Sequence, residues 1–191
     1  ADPWLEETIT SVLEQDGVNW ELICVDDFST DDSNTTISQY CNIDSRIQLF
    51  QNTVPGIISA LQLGLKVTKG EFITRMDADD IMPEHRLKKM HDALVDSEDK
   101  TVVTGKVKYF AEGELSEGFL NYENWVNDRI DKADHYDHIY RECVVASPNW
   151  MVRKKDLIDY SLFDQLQYPE DYDLVFHWFK NDFKIKSLTD V

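Results

Sequence analysis

Three times within its first 95 residues the chain runs from an apolar stretch of strand length into a helical pattern, and that alternation restricts what it can become. Glu21–Val25 leads to a helix over Ser33–Tyr40, Arg46–Phe50 to a helix marked by Ile57, Ala60, Leu61 and Leu65, and Glu71–Met76 to a helix from Glu84 to Val95. Strand, crossover helix and parallel strand close with one hand and cover a sheet on its faces, so the pattern predicts an α/β chain. Ahead of the first strand, Asp2-Pro3 is a cap followed by proline at a first helical position. Leu5, Ile9, Val12 and Leu13 then fall on one helical face that Gly17 ends. An alternating fold ordinarily starts on a strand, so the opening helix predicts a further strand upstream of Ala1. The helix containing Gly64 reads as mostly buried, and that glycine costs stability unless something packs close to it.

Beyond Thr101 the character changes. Thr101–Phe110 is strand-like, residues 111–118 form a polar loop, and Phe119–Ile130 is helical. Asp131–Glu142 is crowded with Asp, His and Tyr. Ser147–Arg153 reads as a strand ending in the basic run Arg153-Lys154-Lys155, and Phe163–Tyr168 as a connecting segment. The stretch from Tyr168 to Asp173 opens a helix with Leu174, Val175, Trp178 and Phe179 as its apolar positions, and Phe183–Leu188 closes as a strand.

Chemistry concentrates where strands end. Asp26-Asp27 follows the first strand, and Asp77-Ala78-Asp79-Asp80 follows the third, placing three carboxylates in four residues. Like charges so close need a cation or an array of donors. Carboxyl ends of parallel strands share one sheet edge, so the two clusters can converge on one ligand. Each has a plainer reading: Asp31 and Asp32 cap the helix after them, and Asp80 caps the helix at Pro83 rather than touching metal.

Composition excludes several functions. The 191 residues suffice for one domain with a substantial core. A net charge of −18 argues against nucleic-acid binding. No apolar run is long enough to cross a bilayer, and no signal-peptide pattern stands at the N-terminus. The three cysteines, Cys24, Cys41 and Cys143, are widely spaced and fit reduced thiols of a cytoplasmic protein, with Cys24 a small buried strand residue.

Three ordered motifs carry a resemblance. Glu21-Leu22-Ile23-Cys24-Val25-Asp26-Asp27-Phe28-Ser29-Thr30-Asp31 resembles the "E-hhh-V-D-D-x-S-x-D" strand end of glycosyltransferase family 2. Lys69-Gly70-Glu71-Phe72-Ile73-Thr74-Arg75-Met76-Asp77-Ala78-Asp79-Asp80 is similar to that family's "G-E-(Y/F)-I-x-x-(L/M)-D-A-D-D" core. Glu170-Asp171-Tyr172-Asp173-Leu174 is similar to its "E-D-(Y/W)-D-L" helix start. The resemblance implies a GT-A fold, Rossmann-like with a mostly parallel sheet flanked by helices, here lacking its first strand. It implies a single catalytic domain over 1–191, truncated at both ends, with residues 1–100 binding the nucleotide sugar and 101–191 the acceptor. It also implies an inverting transfer from a nucleotide-diphospho-sugar, UDP-sugar foremost, to a saccharide or lipid-linked acceptor, in cell-surface polysaccharide or glycolipid synthesis. By position, Asp26 and Asp27 would hold the nucleotide, with Asp27 on the base, and Asp77 would lie near the ribose. Asp79 would ligate Mg²⁺ or Mn²⁺, and Asp171 would be the catalytic base. The place implied is the cytoplasm, at the inner face of a membrane with peripheral association.

Other readings stay open on the residues themselves. The same fold can hold a nucleotide sugar without turnover, and a metal-dependent nucleotidyltransferase also needs paired aspartates. No G-x-x-x-x-G-K-[ST] loop occurs, which speaks against a P-loop NTPase. Asp171 suits a plain N-cap, and Arg153-Lys154-Lys155 a solvated charge run. His135 and His138 belong to an acceptor-side loop better than to a metal cluster, and Tyr122, Trp125 and Trp150 read as core aromatics.

Overall fold

A computed structural model describes residues 4–159 and 169–191. The expected cap at Asp2-Pro3 and the connecting segment Phe163–Tyr168 lie outside the described residues. The described chain divides into two compact units, one through residues 4–71, 76–88 and 169–170, the other through 72–75, 89–159 and 171–191.

The first unit opens with α1 (Leu5–Leu13), whose Leu5, Ile9 and Val12 are buried as the periodicity requires. Then come β1 (Leu22–Asp26), α2 (Ser33–Ile43), β2 (Ile47–Gln51) and α3 (Ile57–Val67). β1 and β2 pair in parallel from Leu22 opposite Ile47 to Asp26 opposite Gln51. Among the described residues β1 has only this neighbour, and its first four residues are half-buried. Contrary to the sequence expectation, no residue of α3 is fully buried; the helix rests on β1, and a two-stranded pair cannot enclose it. Cys24 is likewise half-buried, and the burial it does have pushes its thiol up to about 12.

The second unit is a mixed sheet in the order β3 (Phe72–Thr74), β5 (Trp150–Arg153), β4 (Thr101–Gly105), β6 (Lys184–Leu188). β5 runs antiparallel to both β3 and β4, whereas β4 and β6 are parallel. The alternation in the first half predicts β3 as a third parallel strand. It pairs instead with Trp150–Arg153, about which local periodicity is silent. Helices α4 (Arg86–Val95), α5 (Glu117–Lys132), α6 (Lys154–Asp159) and α7 (Glu170–Lys180) complete the chain, with a 3-10 turn at His135–His138. Every residue of β4 is buried, and Trp178 of α7 meets Trp150 edge to face at 5.7 Å.

Two local expectations are corrected. Pro83 does not open a helix: its carbonyl accepts from Arg86 N at 3.2 Å, His85 adopts a φ of +60°, and α4 begins only at Arg86. Arg153 is not part of a solvated charge run. Its guanidinium donates to the carbonyls of Leu94 and Ser97 at 2.6 and 2.7 Å and of Glu98 at 2.9 Å, tying down the last turn of α4 and the backbone that follows it.

Candidate functional site

The end of β1 shows how its two aspartates are used. Asp26 is buried, and its Oδ1 accepts from Ser29 N at 3.2 Å. Burial alone would raise its carboxyl; hydrogen bonds from Ser29 and Asn34 outweigh that and hold it below the usual carboxylate range. Asp27 is exposed and clasped from the next strand's loop. Asn52 Nδ2 donates to its Oδ1 at 2.8 Å, and Gly56 N reaches both its oxygens at 3.1 and 3.0 Å. Gly56 sits at a φ of +130°, which L side chains rarely adopt, so this approach needs glycine. The same Asn52 amide holds the Val54 carbonyl at 2.6 Å and Ser59 Oγ at 3.0 Å. Asp31 accepts from Ser33 N at 3.1 Å, as expected of a cap, and hydrogen bonding from Ser33, side chain first and backbone after it, holds its carboxyl below the ordinary range; Asp32 is the N-cap residue of α2 but makes no side-chain cap bond.

The acidic tip after β3 is hung from α1. Thr8 and Ser11 share one face of α1, Gln15 follows two residues beyond its end, and all three are buried. Thr8 Oγ1 donates to the Ala78 carbonyl at 3.1 Å, and Ser11 Oγ accepts from Met82 N at 2.9 Å. Gln15 donates to the Pro83 carbonyl at 2.8 Å and accepts from Leu87 N at 3.1 Å. Asp80 N donates to the Asp77 carbonyl at 3.3 Å, closing the turn that leaves Asp79 exposed and Asp77 half-buried. Arg86 is buried. Burial brings its guanidinium down to about 10, and Asp80's charge pulls the other way. Asp80 thus faces a buried cation and not the cap site that the sequence suggests. Glu21, the glutamate of the first motif, takes the N–H groups of Lys69 and of Gly70, the latter at 2.7 Å, and so fixes the turn leading into β3.

Asp171 belongs to the second unit. It is the second residue of α7, half-buried, in the first turn where a carboxylate is favoured by the helix dipole. Its Oδ1 accepts from Tyr172 N at 2.7 Å. Tyr122 lies within its electrostatic reach; burial first, and then neighbours including Asp171, push the Tyr122 phenol well above its usual range. Tyr122 donates to the Cys143 carbonyl at 2.9 Å, and Tyr172 to the Ile139 carbonyl at 2.7 Å. His135 is buried, and desolvation brings its imidazole down to about 4; His138 pairs with Asp134 at 3.5 Å.

Asp26, Asp27, Asp77 and Asp79 thus lie in one unit and Asp171 in the other. Among the described residues no group of three or more His, Cys, Asp or Glu is arranged to hold a metal by itself. The tip offers what a hard cation needs short of a full cage: an exposed carboxylate at Asp79, a second at Asp77, and oxygen chemistry suited to Mg²⁺ or Mn²⁺ when phosphate oxygens supply the remaining positions. No described helix is long and apolar enough to cross a membrane. The sequence reading missed Thr8, Ser11, Gln15 and Asn52 and gave Glu21 no role beyond its motif; only the helical spacing of Thr8 and Ser11 and the motif position of Glu21 offered a signal.

Residues 1–161 match the model of glycosyl transferase family 2, and the chain belongs to that family. It is 34% identical over 112 residues to the glycosyltransferase GlyG of Streptococcus pneumoniae, covering 58% of this chain and 37% of that protein. It is 32% identical over 97 residues to a putative teichuronic acid biosynthesis glycosyltransferase, TuaG, of Bacillus subtilis, covering 50% and 38%. Among solved structures it resembles Staphylococcus aureus TarS 1–349, with a TM-score of 0.70 and 22% identity, over 100% of this chain and 55% of that one. It is similar also to the mannosyltransferase PcManGT of Pyrobaculum calidifontis in complex with GDP-Man and Mn²⁺, with a TM-score of 0.70 and 19% identity, over 100% and 52%. These likenesses establish the GT-A fold. The chain spans only 37% and 38% of the length of GlyG and TuaG.

Proposed function

We propose that this chain is one catalytic domain, a donor half over 1–100 and an acceptor half over 101–191, of an inverting glycosyltransferase. It moves a sugar from a nucleotide-diphospho-sugar, a UDP-sugar foremost, to a hydroxyl of a saccharide or lipid-linked acceptor. The observation that carries the reading is the pair of aspartate-bearing strand ends, each held by long-range polar bonds, in a chain of family 2. Support for a surface polysaccharide comes from the relative named for teichuronic acid synthesis, and for a metal from the neighbour bound to GDP-Man and Mn²⁺. Nucleotide sugars are cytoplasmic metabolites, so the reaction belongs in the cytoplasm, with an acceptor presented at the inner face of the membrane.

In this reading Asp27, its orientation set by Gly56 and Asn52, receives the base, and Asp26 keeps that loop in shape beside the ribose. Asp77 contacts the ribose, and Asp79 holds the divalent ion. The ion supplies positive charge to the diphosphate as it leaves. Asp171 accepts the proton of the acceptor hydroxyl as that oxygen attacks the anomeric carbon. One displacement, with no sugar bound covalently to the protein, inverts the anomeric centre.

Calorimetric titration with UDP, GDP, dTDP and CMP, with Mn²⁺ and then with EDTA, tests the donor site. One nucleotide diphosphate binds in Mn²⁺, and Asp79→Ala abolishes that binding while the chain stays folded. Asp171→Asn keeps the nucleotide affinity of the wild type and lowers turnover by a factor of about 10²–10⁴, the range expected for loss of a general base. Failure of every nucleotide to bind refutes the reading.

A further inference from the structure

The loop from Ile139 to Cys143 is held at both ends by tyrosines from two helices. Tyr172 of α7 donates to the Ile139 carbonyl at 2.7 Å, and Tyr122 of α5 to the Cys143 carbonyl at 2.9 Å. Within the loop, Arg141 N donates to the His138 carbonyl at 2.8 Å, and Glu142 Oε1 accepts from Cys143 N at 3.0 Å. A loop tied at so many points holds its side chains in fixed directions. Ile139, Cys143 and Val144 use that fixity to bury themselves, but Tyr140 is 81% exposed.

Tyr140 is one end of a strip of rings. Its ring lies 5.8 Å from that of Phe176, and Phe176 lies 4.8 Å from Tyr172, one turn back on the same face of α7. The rings are tilted against one another by 42° and 35°, so they form a continuous apolar strip. At its other end stands Asp171, which accepts from Tyr172 N at 2.7 Å and lies within electrostatic reach of Tyr122. Single exposed rings are ordinary on any surface. A strip that runs from the candidate base to a ring displayed on a pinned loop is a place for a ligand.

The chemistry around the strip selects the occupant. A general base works only within hydrogen-bond reach, so the acceptor hydroxyl must come to Asp171. A sugar ring carries C–H groups on its faces and hydroxyls around its rim. The C–H groups suit the negative faces of aromatic rings, and the hydroxyls suit carboxylates such as Glu142, which only accept hydrogen bonds. An anionic lipid surface fits poorly, because the strip is edged by Asp171 and Glu142 in a chain of net charge −18.

We propose that Tyr140 and Phe176 form a stacking platform for a sugar ring of the acceptor. The platform rests on the reading of Asp171 as the base, and it makes the acceptor a saccharide recognised through its own rings.

The test records ligand-observed NMR of methyl glycosides of glucose, galactose, mannose and N-acetylglucosamine, and of cellobiose, lactose and chitobiose. Each is added with UDP or GDP and Mn²⁺ to the wild type, Tyr140→Ala, Tyr140→Phe and Phe176→Leu, with a thermal melt of each protein. At least one saccharide binds the wild type, with saturation strongest at its ring C–H protons. Tyr140→Ala removes only an exposed ring, so it melts like the wild type and yet binds that saccharide roughly fivefold more weakly. Phe176→Leu, which keeps apolar volume without a ring, weakens it likewise, whereas Tyr140→Phe keeps it. Nucleotide affinity is the same in all four. If Tyr140→Ala binds the saccharide within about twofold of the wild type, or if a nucleotide binds but no saccharide does, the platform is overturned and the donor site stands. Loss of binding to phosphatidylglycerol vesicles in Tyr140→Ala, with saccharide binding intact, also overturns it and makes the strip a membrane contact. Tyr140-dependent saccharide binding without any nucleotide supports the platform and overturns the donor site alone. Neither ligand bound by the wild type overturns both.

Discussion

β1 and β4 are both five-residue strands and β1 is the more apolar, yet every residue of β4 is buried and only Asp26 of β1 is. Position in the sheet makes the difference. β4 lies between β5 and β6, whereas β1 has one strand neighbour among the described residues. The unit holding β4 is therefore organised by apolar packing around Val102, Val103, Val152 and Trp178, all fully buried. The unit holding the four donor-side aspartates is organised instead by directed polar bonds from Thr8, Ser11, Gln15, Glu21 and Asn52 to loop backbone and to Asp27. Apolar packing tolerates small displacements. A hydrogen bond fixes a loop atom to within tenths of an ångström, which suits residues that must meet a ligand.

Core truncation separates the two regimes most sharply. Trp178→Ala removes a fully buried ring and costs about 3–5 kcal/mol, whereas Ile23→Ala in half-buried β1 costs about 1–2 kcal/mol, both read from urea unfolding. Equal costs would erase the contrast. Trp178 Nε1 has no hydrogen-bond partner among the described residues, so Trp178→Phe loses ring area but no hydrogen bond and costs well below Trp178→Ala.

Acid distinguishes the units by the groups each one buries. The folded chain keeps His135 neutral down to about pH 4, whereas an unfolded histidine protonates near 6.5. Between those values the unfolded state binds more protons, so stability is full above pH 6.5 and falls as pH is lowered, by roughly 3 kcal/mol over the window. Asp26 behaves oppositely in position: its folded carboxyl lies below 3.8, so its contribution is full above that value and is lost only as pH drops beneath it. Urea midpoints at pH 7, 5.5 and 4.5 check this. His135→Phe flattens most of the wild type's dependence; an unchanged slope removes His135 from the account.

Polar tethering is tested at Gln15. Gln15→Leu leaves Leu87 N without its partner, removes one of the two donors to the Pro83 carbonyl, and costs roughly 1–3 kcal/mol. It also weakens Mn²⁺-dependent nucleotide binding, because the 77–80 turn hangs from Thr8 of α1, which ends two residues before Gln15, while Gln15→Glu, which keeps the acceptor for Leu87 N, loses less. A loss of stability with unaltered nucleotide affinity would show the tether to be structural only.

These tethers explain what was legible in the sequence. Element order follows from local periodicity, and Asp26, Asp27, Asp77 and Asp79 could be picked out because they follow strands in recognisable local patterns. The polar residues that fix them could not. Gln15 and Pro83 are 68 residues apart, and Glu21 and Gly70 are 49 apart. In each case the partner is a backbone atom, which every residue carries and no sequence pattern marks. Arg153 was misread as solvated for the same reason, since its acceptors are backbone carbonyls in the last turn of α4 and just past its end. The antiparallel pairing of β3 with Trp150–Arg153 was hidden by comparable separation.

The smallest effect tests how loosely the donor-side unit is packed. Gly64 lies within α3, and a Cβ built there would meet Val25 Cγ2 at 3.6 Å, an ordinary van der Waals contact. The glycine is therefore not required by a close approach, and its backbone freedom is a cost the helix bears without a steric return. Gly64→Ala removes conformational freedom from the unfolded chain, fills a half-buried space and stabilises the protein by about 0.5–1 kcal/mol. A higher melting temperature with unaltered nucleotide affinity is the expected result, because the added methyl makes only an ordinary contact with the Val25 side chain and displaces no atom of the Asp27 clasp. A destabilised variant would mean that α3 and β1 are packed as tightly as the core around β4, and the contrast between the two strands would then lie in exposure alone.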